Sequence, residues 1–65
     1  MYTELVKRVG EMLKAELTEK NRFASMDLCQ ELMNAHDKTR DIAMRETLRL
    51  WVGKIQDRFQ GSPIG

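Results

Sequence analysis

Residues 39–60, with the sequence TRDIAMRETLRLWVGKIQDRFQ, carry an apolar side chain at nearly every third or fourth position. This spacing places the apolar side chains on one stripe of a helix, which is typical of an amphipathic α-helix with a buried seam. The stripe consists of Met44, Leu48, Trp51, Val52, Ile55 and Phe59. Basic residues border it on both sides. The pattern predicts that the rest of the chain packs on this helix.

The sequence predicts an all-α protein of three helices, at about 3–20, 24–36 and 39–60. Thr3 suits the N-cap of the first helix, because Ser, Thr, Asp and Asn side chains accept hydrogen bonds from the first backbone N–H groups. A polar break at Lys20–Arg22 predicts the first turn, and Asn21 or Ser25 then caps the second helix. Asp37 or Thr39 is expected to cap the third. Residues 1–60 form one domain, and residues 61–65 are expected to be a flexible tail.

The apolar residues of the second helix cover an arc of about 200° at 100° per residue. An arc this wide predicts that the helix contacts more than one neighbouring helix. A chain of 65 residues also buries little core, and its one cysteine cannot close an intrachain disulfide. Self-association is the remaining way to stabilise such a chain, so we expect a small bundle completed by homodimerisation. The predicted core or dimer interface consists of Leu28, Leu32, Met44, Leu48, Trp51, Ile55 and Phe59.

Charge is unevenly distributed along the chain. The formal net charge is +1, but residues 1–37 hold five Lys and Arg against seven Asp and Glu, whereas residues 38–65 hold six against three. The simplest interpretation is that the acidic half packs on the basic half, within or between subunits. A basic surface on the third helix is the alternative. Arg40, Arg45 and Arg49 are therefore candidate contacts to a partner protein or to DNA.

Sequence patterns that carry catalysis or hold cofactors do not occur in the chain. It has no glycine-rich phosphate loop, nucleophile elbow, His-Glu-x-x-His pattern or paired cysteines. We therefore expect no enzyme activity, no cofactor and no metal. The N-terminal segment has charges within its apolar pattern, which is unlike a signal peptide, and no run approaches the ~20 apolar residues of a membrane span. A cytoplasmic location in a bacterial cell is expected.

A helix-turn-helix DNA-binding regulator is the alternative function. Residues 27–36 would form the supporting helix, and Arg40 to Glu46 would begin the recognition helix, which reads bases with its N-terminal residues. The turn lacks glycine, and Asp41 and Glu46 would face phosphate. These features favour binding to a protein over binding to DNA.

The chain as a whole, with its compact size, three capped helices and the dense segment MRETLRLWVGKIQDRF at residues 44–59, resembles a family of phage proteins. These are the small all-helical early proteins of lambdoid bacteriophages, encoded between the exonuclease and excisionase genes. The resemblance implies a non-enzymatic protein that binds a host or phage regulatory macromolecule and favours lytic development. It implies no particular binding residues.

The third helix generates a first prediction. Leu48→Ala and Trp51→Ala should each lower the free energy of unfolding by roughly 2–5 kcal/mol, or abolish dimerisation, because a large buried side chain is lost. Thermal and urea denaturation measure the effect. Wild-type melting of both variants would mean that the core lies elsewhere.

Overall fold

The computed structural model describes residues 3–60 and shows an all-helical protein of three helices packed together. Helix α1 spans Thr3–Lys14, α2 spans Glu19–Lys38 and α3 spans Ile42–Phe59. The described residues contain no strand. The all-α class and the three helices are therefore as predicted. The predicted tail at residues 61–65 lies outside the described residues.

The first turn lies earlier in the chain than the sequence predicted. Helix α1 ends at Lys14 and not near residue 20, and α2 begins at Glu19 and not at residue 24. Thr18 is the N-cap of α2, and its hydroxyl accepts a hydrogen bond from the backbone N–H of Asn21 at 3.1 Å. The Asn21 side-chain amide donates to the carbonyl of Glu16 at 2.9 Å. Lys20–Arg22, which were predicted to form the break, therefore lie in the first turn of α2, and Asn21 forms a hydrogen bond to the linker before it.

The second connection is short, and its cap also differs from prediction. Asp41 is the N-cap of α3, because its carboxylate accepts hydrogen bonds from the N–H groups of Ala43 at 3.0 Å and Met44 at 3.3 Å. Thr39 instead ends α2, where its N–H donates to the carbonyl of Ala35. Asp37 lies inside α2, which continues to Lys38. The three residues 39–41 connect the two long helices.

Helices α2 and α3 form an antiparallel hairpin. At 1.5 Å per residue they are about 30 Å and 27 Å long, and the molecule measures 39 × 19 × 15 Å. Only the longest dimension can hold either helix, and it is too short to hold both end to end. The two helices therefore lie side by side, with α1 packed across both.

The core lies along the α2–α3 seam and is closed on one side by α1. Its buried residues are Val9, Leu28, Cys29, Leu32, Leu48, Val52, Ile55 and Phe59. Partly buried side chains such as Met44 and Trp51 pack around them. Of these buried residues, α1 contributes one, α2 contributes three and α3 contributes four, so the hairpin supplies most of the core.

Arg58 on α3 forms a hydrogen bond at the end of α1. Its guanidinium donates a hydrogen bond to the carbonyl of Ala15, one residue beyond the last residue of α1. The same guanidinium carbon lies 5.7 Å from the centre of the Phe59 ring, within the range of a cation–π contact. A cation near the carbonyl end of a helix also interacts favourably with the helix dipole.

Arg58→Met should therefore loosen α1 while α2 and α3 stay paired. Methionine keeps an apolar stem but cannot donate to the Ala15 carbonyl, so we expect a loss of about 1–3 kcal/mol. Hydrogen exchange should show faster exchange in α1 than in the hairpin. Arg40→Met, in the exposed connection, is the matched control and should leave exchange unchanged. Equal acceleration across all three helices would contradict this role for Arg58.

Candidate protein-interaction surface

The side of the α2–α3 hairpin that α1 leaves uncovered carries a shallow groove of about 210 Å³. Helix α2 contributes Met26, Cys29, Gln30 and Met33, and α3 contributes Val52, Gln56 and Gln60. We call this surface the open groove. Its floor is apolar, because Cys29 and Val52 are core residues, and its upper walls are methionine and glutamine side chains.

Large apolar side chains stand exposed along the α2 wall of the open groove. Met26 is 49% exposed and Met33 is 36% exposed, and Phe23, three residues before Met26, is 65% exposed. Residues at i, i+3 and i+10 share one face of a helix. The three side chains therefore form a row on one side of α2, with Gln30 between Met26 and Met33. Single exposed apolar residues are ordinary, but several on one helix face beside a groove are typical of an interaction site.

The opposite side of α2 faces α1. A second depression of about 220 Å³ lies there, lined by Arg8, Glu11, Met12, Ala15, Ala24 and Leu28. Arg8 also forms an exposed ion pair with Glu31 across the same helix pair. Helix α1 thus occupies the Ala24, Leu28 and Glu31 side of α2, and the Met26 and Met33 side has no covering helix in the described chain.

The predicted core or interface residues do not line the open groove. Leu28, Leu32, Leu48, Ile55 and Phe59 are buried inside a single chain, and Met44 and Trp51 are partly buried against them. The groove is instead lined by Met26 and Met33, which were not in the predicted set. The wide apolar arc of α2 did signal a second packed side, but it did not show which residues α1 would leave exposed.

The three candidate arginines are exposed and lie near the start of α3. Arg40 is in the connection before α3, and Arg45 and Arg49 are one turn apart within it. Arg45, Arg49, Val52 and Gln56 follow the spacing i, i+4, i+7 and i+11, so the two arginines extend the α3 wall of the open groove. Basic side chains therefore border one end of the apolar surface.

The described residues include one cysteine, Cys29. Cys29 is buried, and burial raises the pKa of its thiol, which keeps the sulfur in the poorly nucleophilic protonated form. No cluster of three or more His, Cys, Asp or Glu side chains in residues 3–60 could hold a metal ion. None of the helices in this range is long and apolar enough to cross a membrane.

Comparisons of the chain with protein-family models, curated proteins and solved structures found no match. The arrangement of side chains is therefore the basis for assigning a function.

The Arg8–Glu31 pair generates a pH prediction. Its hydrogen bond holds the pKa of Glu31 below the usual value for a glutamate. A carboxylate whose pKa is lowered in the folded state stabilises the fold at pH values above its unfolded pKa of about 4.3. This stabilisation is lost as the pH falls through the folded pKa. The pair is exposed, so the effect should be at most about 1 kcal/mol.

Glu31→Gln should therefore reduce the loss of stability that occurs as the pH falls below about 4.3, the unfolded pKa of a glutamate. Urea denaturation at a series of pH values measures this dependence. Arg8→Gln removes the same pair from the other side and should reduce the dependence similarly. A wild-type acid dependence in both variants would contradict a role for this pair in α1 docking.

Proposed function

We propose that this chain is a non-enzymatic binding protein that acts as a homodimer, with the open groove as the self-association surface. The observation that carries the proposal is the exposed row of Phe23, Met26 and Met33 beside the groove. Burying apolar surface contributes roughly 25 cal/mol per Å². Two copies would together cover the exposed parts of six such side chains.

Several features support self-association over capture of a small ligand. The open groove is shallow and runs between two helices, whereas small-molecule sites are usually deeper cavities of ~300–1,000 Å³ with convergent polar groups. Methionine side chains adapt to an apposed surface, since they are unbranched and flexible. A helix laid into a groove of this kind is a common mode of protein recognition.

The phage resemblance extends the proposal to a biological role. It implies an early protein of the bacterial cytoplasm that binds a host or phage regulatory macromolecule and favours lytic development. The dimer would present its outer surfaces to that macromolecule. Ile42 and Leu50, both exposed on α3 and absent from the groove walls, are candidate contacts for a protein partner.

DNA binding is the second candidate, and Arg45 and Arg49 are the observation that favours it. Both are exposed and separated by one helical turn, so both could contact one stretch of phosphates. The antiparallel α2–α3 hairpin differs from the crossed pair of a helix-turn-helix motif, in which the helices meet at about 90–120°. A titration with fluorescent duplex DNA at two salt concentrations, with Arg45→Ala/Arg49→Ala as the control, tests this alternative.

Sedimentation equilibrium of matched variants tests the homodimer. Met26→Lys/Met33→Lys should fold as the wild type does but remain monomeric, because charged ends cannot be buried in an apolar interface. Ala43→Lys/Leu50→Lys places the same charges on exposed positions on the other side of α3 and should leave the dimer intact.

A dimer that survives Met26→Lys/Met33→Lys would move the interface to another surface. A wild-type chain that stays monomeric at high concentration would contradict the homodimer itself. Circular dichroism of each variant establishes that the helices are retained.

A further inference from the structure

The two walls of the open groove carry different charges at their two ends. On α2, Glu19, Phe23, Met26, Gln30, Met33 and Asp37 follow the spacing i, i+4, i+7, i+11, i+14 and i+18 and share one face. Because α2 and α3 are antiparallel, the Asp37 end of this row lies beside Arg45 and Arg49. The other end has Glu19 on α2, and Gln56 and Gln60 on α3.

Two face-to-face arrangements with twofold symmetry close the open groove with a second copy and keep the helices of both copies aligned. In one, the twofold axis runs along the hairpin, so that α2 of each copy lies on α3 of its partner with the same ends together. In the other, the axis runs across the hairpin, so that α2 lies on the partner's α2 with opposite ends together. A twofold interface repeats every contact, so a charge match or mismatch counts twice.

The charges distinguish these two arrangements. With α2 on α3, Asp37 faces the partner's Arg45 and the partner's Arg49. Met33 faces the partner's Val52, and Met26 faces the partner's Gln56 and the partner's Gln60, because the two walls of the groove are antiparallel. With α2 on α2, Asp37 faces the partner's Glu19, which places like charges together at both ends. Opposite charges across an interface favour the correct register, and like charges disfavour it.

We propose that a second copy closes the open groove with its α3 lying on α2, and that Asp37 pairing with the partner's Arg45 and the partner's Arg49 sets this register. This inference rests on the homodimer proposed above and adds its geometry. The product is a four-helix bundle in which each α2 is flanked by its own α3 and by the partner's α3, and every neighbouring pair is antiparallel. Helix α1 stays on the outside of each hairpin.

The available surface is sufficient for such an interface. A face about 30 Å long and about 18 Å wide, the width of two packed helices, covers roughly 500 Å² in each copy. Two copies would therefore bury about 1,000 Å², which is at the lower limit for a specific interface. A surface of this size depends on favourable charge pairing, which this register supplies twice at the Asp37 end. The pairing would also engage Arg45 and Arg49 within the dimer and leave Arg40 for other contacts.

Asp37→Lys separates the two registers in one measurement. With α2 on α3, the new lysine faces two arginines, and the dimer dissociation constant should rise roughly tenfold at low salt, from two exposed pairs of about a factor of three each. With α2 on α2, the new lysine faces the partner's Glu19, and the dimer should become tighter. Asp27→Lys makes the same charge change on α2 outside the wall row and should change the dissociation constant little.

Weaker dimerisation of Asp37→Lys would not be caused by loss of folding. Asp37 lies in the last turn of α2, where its negative charge opposes the helix dipole, and a lysine there favours the helix. The hydrogen-bond contact that it loses, 3.2 Å between its carboxylate and the Nδ1 of His36, is local and exposed. The monomer should therefore be at least as stable as the wild type in urea.

Mixing two variants completes the test. Asp37→Lys and Arg45→Glu/Arg49→Glu should each dimerise weakly alone, but an equimolar mixture should form a heterodimer because opposite charges then meet in both α2–α3 contacts. Sedimentation equilibrium in low salt measures all three samples. Tighter or unchanged dimerisation of Asp37→Lys, or no gain on mixing, would overturn the register. A monomeric wild type would instead overturn the dimer.

Discussion

Packing of Leu28 and Leu32 on α2 against Leu48, Ile55 and Phe59 on α3 holds the two long helices side by side. All five side chains are almost completely buried in one chain. The hairpin therefore determines where α1 packs and where the open groove lies. Once the seam has formed, α2 and α3 each present two flanks. One flank is covered by α1. The other flank is the open groove.

The short α1 cannot cover both flanks. It has 12 residues, against 20 in α2 and 18 in α3, and it is held on one side by the contacts of Val9, Arg8 and Arg58. The apolar side chains of Phe23, Met26 and Met33 lie on the flank that α1 leaves uncovered. The homodimer that we propose would cover this flank with a second copy.

Much of the fold follows from periodicity, whereas the turns depend on which of several competing caps is used. The stripe of α3 predicted a helix that the structure contains, because its apolar spacing is regular over five turns. The first turn was misplaced because Asn21 is often found at helix ends, whereas here its amide holds the Glu16 carbonyl and Thr18 is the cap. Similarly, Asp37, Thr39 and Asp41 are all good caps, and only tertiary packing selects Asp41. The open groove could not be located before the position of α1 was known.

The most direct test of this account is an isotope-filtered nuclear Overhauser experiment on an equimolar mixture of labelled and unlabelled wild-type protein. Such an experiment detects contacts between copies and ignores contacts within one copy. Closure of the open groove by α3 of a second copy predicts intermolecular cross-peaks from the Met33 methyl group to the partner's Val52, and from the Met26 methyl group to the partner's Gln56. Absence of intermolecular cross-peaks from both methionines, in a sample concentrated enough to dimerise, would contradict closure of the open groove by a second copy.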